Sequence, residues 1–100
     1  MNGHDPAFDT LHPSGRVLFR SSRGGYLHSV VLDESALHAD AATLAKAVLL
    51  TAEVSHLKAV MQIRQEIIDA GFTPSSEIAG PADFERANGE RLDHRLLPDF

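Results

Sequence analysis

The chain has 100 residues, 43% of them hydrophobic and 23% charged, with a formal net charge of −5 and no cysteine. That is the length of one domain with an ordinary soluble composition and a modest core, and it excludes disulfides, thiolate metal sites and a cysteine nucleophile. The charge is uneven: residues 1–15 carry −2, residues 16–71 balance to zero and residues 72–100 carry −3, a poor stock of cations for neutralising phosphates.

Residues 1–15 hold Pro6, Pro13 and Gly15 and show no apolar period, so they read as a flexible N-terminal arm on which Phe8 or Leu11 could dock. They offer neither the basic start nor the apolar stretch of a classical signal peptide. The longest apolar run, Ala47–Leu50, is far short of the roughly 20 residues a membrane helix needs. The expectation is a cytoplasmic protein with no membrane partner, open to nucleoid association or non-classical secretion.

Residues 16–23 alternate weakly, with Val17, Phe19 and Ser21 on one side. Gly24-Gly25 then supplies two positions that accept positive φ, as a tight hairpin turn requires. Residues 26–32 are rich in β-formers. The pattern predicts an antiparallel hairpin, which alone is marginal in water and needs a cover.

That cover follows. Asp40 is a good N-cap, no Gly or Pro interrupts Ala41–Ala70, and Gly71 with Pro74 ends the run. The spacing predicts a helix of about 30 residues, roughly 45 Å long. One apolar ridge runs Leu50, Val54, Leu57, Met61, Ile68 and a second runs Leu49, Val60, Ile63, Ile67. A hairpin of two strands spans only about 25 Å, so the Val60–Ile68 half is left uncovered. A two-fold dimer through Leu50, Val54, Leu57, Val60, Met61, Ile63, Ile67 and Ile68 would bury it. The alternative is a C-terminal tail that folds back. The fold class is therefore α+β: a small antiparallel sheet and one long helix spanning residues 16–71, completed by homodimerisation.

Residues 72–100 form an acidic tail. Pro81 and Asn88-Gly89 frame a short helix over Ala82–Ala87. Phe84, Leu92, Leu96, Leu97 and Phe100 are apolar enough to dock on a protein partner.

No pattern for catalysis emerges. The six histidines, His4, His12, His28, His38, His56 and His94, show no i, i+3 or i+4 pair that could grip a metal on a helix. No nucleophile elbow is present, and no cofactor is expected. Arg16, Arg20 and Arg23 make a small basic patch, read either as edge-strand charges that discourage aggregation or as a nucleic-acid contact.

Gly24-Gly25-Tyr26-Leu27, Val30-Val31-Leu32-Asp33, and the run from Asp40 through Leu44-Ala45-Lys46-Ala47-Val48-Leu49 to Ala52 form a pattern that resembles the YbaB/EbfC family of small nucleoid-associated proteins. It is closer still to their actinobacterial relatives among type VII secretion-associated proteins. The likeness covers about residues 16–65. It implies a unit that dimerises through its sheet and long helices, and it implies a non-enzymatic adaptor or chaperone-like module with an unidentified protein partner, serving a type VII secretion system. The alternative it implies is a divergent nucleoid-associated DNA-binding protein, which the acidic ends of this chain disfavour.

Overall fold

The computed structural model describes residues 6–23 and 27–97, and the predicted Gly24-Gly25 turn lies outside them. The fold is α+β. Strands β1 (Thr10–Leu11), β2 (Val17–Ser21) and β3 (Leu27–Leu32) form an antiparallel sheet in that order, followed by the long helix α1 (Ala41–Asp69) and a second helix α2 (Pro81–Asp93).

The β2 alternation holds as read: Val17, Phe19 and Ser21 are buried and Leu18 and Arg20 between them are not. Val17 lies opposite Leu32 and Phe19 opposite Val30, with the register shifting between Arg20 and Ser21. The first residues correct the expected arm. Pro6–Phe8 make a 3-10 turn, Thr10 and Leu11 pair with Phe19 and Leu18, and Phe8, Thr10 and His12 are buried. Gly15, at φ +75°, closes the turn from β1 to β2, a conformation that an L side chain would resist.

What ties this segment down is buried and polar. The Ser55 hydroxyl on α1 donates to the Phe8 carbonyl at 2.7 Å and sits 2.6 Å from the Ser21 hydroxyl. A carbonyl can only accept, so Ser55 spends its one proton on Phe8 and Ser21 donates to Ser55. Lys58 adds a bond to the Asp9 carbonyl at 2.8 Å. Burial, then the nearby Arg91 guanidinium, hold the Lys58 ammonium below its ordinary pKa, against the opposite pull of Asp9.

Helix α1 begins and ends where its caps dictate. The Asp40 carboxylate accepts from the Thr43 N–H at 3.2 Å. At the other end Phe72 N–H reaches Ile67 O and Gly71 N–H reaches Ile68 O, both at 3.0 Å, with Gly71 at φ +92°; this is the Schellman arrangement. Before the helix, a 3-10 turn over Glu34–His38 is capped by Asp33, whose carboxyl the Ser35 hydroxyl and N–H hold below the usual range.

Helix α2 folds back onto α1. It runs past Asn88-Gly89, beyond the predicted Ala82–Ala87. Gly in a helix interior costs about 1 kcal/mol. Here burial of Ala87 and the bonds of Arg91 to Asn88 Oδ1 and to the Leu11 carbonyl offset it. Val54, Leu57 and Ala87 form one core cluster, with Ala79 and Phe84 against it. Val17, Ala36, Ala47 and Leu96 form another, with Ala39, Leu44 and Val48 around it.

Candidate functional site

Helix α1 divides its circumference three ways. Ser55 and Lys58 face the N-terminal segment. Val54 and Leu57 face α2. The remaining flank follows from the 100° step of a helix: it carries Leu49, Val60, Ile63 and Ile67, the second ridge of the sequence pattern. This flank is the one turned away from both α2 and the N-terminal segment. Leu49 is 67% exposed, and Val30 and Leu32 on the helix-facing side of β3 are 44% and 38% exposed. Val60, Ile63 and Ile67 are half-buried. Strand β3 ends the sheet, and among the described residues nothing pairs with its outer edge. An apolar ridge on α1 and an open strand edge on β3 are thus both left without a partner element among the described residues.

The structure splits the residues predicted for a dimer interface. Leu50, Val54 and Leu57 are buried within the chain, because the tail does what a second copy was expected to do. Val60, Met61, Ile63 and Ile67 stay half-buried, and Ile68 is half exposed, near the end of a rod that still outruns its sheet in a molecule 49 Å long.

The tail residues also separate. Phe84 and Leu96 pack into the two core clusters, so neither is free to dock elsewhere, whereas Leu92 and Leu97 are exposed. Phe100 lies outside the described residues. The three arginines do not converge. Arg16 donates to the Ser35 hydroxyl, Arg20 lies 3.7 Å from the Asp9 carboxylate, and Arg23 pairs with Glu66 at 2.5 Å. Each has a separate intramolecular partner.

A second constellation was not legible in the sequence. His12 follows β1 and is fully buried; His94 follows α2 and is half-buried. Their rings meet edge to face, with His12 Nε2 3.0 Å from His94 Nδ1. The Ser14 N–H donates to His12 Nδ1 at 3.1 Å, with the Ser14 hydroxyl 2.8 Å from the same nitrogen. A backbone N–H can only donate, so His12 Nδ1 is the unprotonated nitrogen and Nε2 carries the hydrogen that His94 accepts. Burial, then the His94 and Arg91 charges, lower the His12 pKa below its ordinary 6.5; burial and Lys46 lower that of His94. The pair lines a cleft with Pro13, Ser14 and residues 92–96. Among the described residues no group of three metal-ligating side chains converges, and no helix is long and apolar enough to cross a membrane.

A family described as proteins of unknown function, DUF2694, matches residues 1–97. Uncharacterised proteins of Mycobacterium bovis and of two strains of Mycobacterium tuberculosis are each 53% identical over 96 residues, which is 96% of this chain and 95% of theirs. No solved structure matches.

Proposed function

We propose, for a chain that belongs to the DUF2694 family, a non-enzymatic protein-binding module that works as a homodimer. The observations that support this are the uncovered ridge of Leu49, Val60, Ile63 and Ile67 on α1 and the unpaired edge of β3. Two copies related by a two-fold axis would lay ridge on ridge and continue one sheet into the other. The faces already closed by α2 and by the N-terminal segment would then be solvent-facing in the pair, with Leu92 and Leu97 exposed on them for a protein partner. The resemblance to type VII secretion-associated proteins is the ground for naming a secretion component or its client as that partner. Nucleic-acid binding is disfavoured because Arg16, Arg20 and Arg23 are each engaged within the chain.

Sedimentation velocity over a concentration series tests the self-association. A 10.8 kDa chain should move toward twice its mass as concentration rises, and Leu49→Glu with Ile63→Glu should hold it at one chain while its circular dichroism stays unchanged. A single-chain mass at every concentration would refute the dimer. A dimer that survives the double substitution would move the interface off this ridge.

A further inference from the structure

We propose that His12 and His94 form a proton-sensitive latch: while the two rings carry at most one added proton between them they fasten residues 94–97 across the start of the fold, and when both rings are cationic the segment is released. The geometry accommodates two neutral rings or one shared added proton, but not two cations. With both rings neutral, Ser14 N–H points at His12 Nδ1 and His12 Nε2–H points at His94 Nδ1. One added proton can be held as His94 Nδ1–H donating to His12 Nε2, with His12 Nδ1–H donating to the Ser14 hydroxyl 2.8 Å away. A second added proton puts a hydrogen on both facing nitrogens and sets donor against donor at 3.0 Å.

The surroundings are unfavourable to a second cation. Arg91 of α2 faces His12, and Lys46 of α1 faces His94. Arg95 also lines the cleft, and Asp93 is the one carboxylate among its described lining residues. Burial and these cations hold both rings below the ordinary histidine pKa, so the latch is closed at neutral pH and opens on acidification. The other ties of the segment are few. Leu96 is buried against Val17, Ala36 and Ala47. The Leu97 carbonyl accepts from the Asp40 N–H at 2.5 Å, and the Leu97 N–H donates to the Thr43 hydroxyl at 3.2 Å. Two like charges 3.0 Å apart would push directly on the residue that leads into them.

The same two nitrogens invite a divalent metal ion, but among the described residues no third ligating side chain joins them. The reading is therefore a proton switch and not a metal site.

The test follows the full-length, 15N-labelled chain by 1H–15N correlation from pH 7.5 to pH 5.0, with long-range spectra of the imidazole nitrogens. The expected result is that the His12 and His94 rings titrate together, with midpoints below 6.5. Over the same interval the Leu96 and Leu97 amides should shift reversibly to disordered positions while β2 and α1 signals stay put. In His12→Gln with His94→Gln the Leu96 and Leu97 signals should no longer respond to pH; the wild-type titration decides if that variant does not fold. Rings that titrate while Leu96 and Leu97 stay ordered would overturn the latch. So would signals lost across the whole chain at once, or rings that remain neutral at pH 5.0. Zinc chloride added at pH 7.5 is the second arm: saturable shifts of both rings would replace the proton latch with a metal site.

Discussion

Ser55→Ala tests the polar tie between the two ends of the α/β unit. Ser55 is fully buried, and its hydroxyl is both the donor to the Phe8 carbonyl and the acceptor for Ser21. Removing it leaves Ser21, 1% exposed, without its partner. Phe8 O is only partly stranded, because Thr10 Oγ1 also donates to it, at 3.3 Å. Leaving a buried polar group unsatisfied costs about 1–3 kcal/mol, so one full and one partial loss come to roughly 2 kcal/mol. At about 4–8 °C per kcal/mol for a domain of this size, Tm should fall by roughly 10 °C. Ser21→Ala should cost less, about 1 kcal/mol, because Ser55 keeps its proton on Phe8 and loses only an incoming donor. Thermal melts by circular dichroism at pH 7.5 read both variants. Equal losses, or a larger loss for Ser21→Ala, would refute the proton direction; a shift under about 2 °C for Ser55→Ala would refute the tie itself.

Two further predictions concern the helix. Leu57→Ala removes a side chain packed with Val54 and Ala87 of its own chain and should cost about 2–5 kcal/mol in urea unfolding. The loss should be the same at low and high protein concentration; a loss that appears only when the protein is concentrated would place Leu57 in a subunit interface instead. Gly71→Ala forces a Cβ onto φ +92° with nothing in contact range, so the cost is conformational strain alone, about 1 kcal/mol. Tm should fall by about 5 °C, and an unchanged or higher Tm would deny the left-handed cap.

The legible parts were those whose signal is local. The caps Asp40 and Gly71 mark the helix within a residue of where it stands. The alternation of Val17, Phe19 and Ser21 assigns the buried side of β2 correctly. Strand β1 has only two residues, too short to show a period of two, and it exists because Ser55 and Lys58 hold the carbonyls next to it. Helix α2 overruns Gly89 because Arg91 finds the Leu11 carbonyl 80 residues away. His12 and His94 are 82 apart, and no spacing rule joins them. Of the two apolar ridges, both were visible, but which of them the tail would cover depended on where α2 docks. That in turn depended on those distant contacts.

The size of the uncovered ridge decides what kind of dimer to expect. Leu49, Val60, Ile63, Ile67, Val30 and Leu32 are each partly exposed, so completing their burial would contribute about 1 kcal/mol apiece, half or less of the value for a whole side chain. Two-fold symmetry doubles the set to roughly 12 kcal/mol. Association itself costs about 4–15 kcal/mol, and each new strand hydrogen bond across the β3 edges adds only about 1 kcal/mol net. The surplus is modest. Had Leu50, Val54 and Leu57 also faced outward, the surplus would be large and the pair obligate. With α2 holding those three, the balance favours a weak, reversible pair. Self-association at nanomolar protein would therefore contradict the surface described here as firmly as its complete absence.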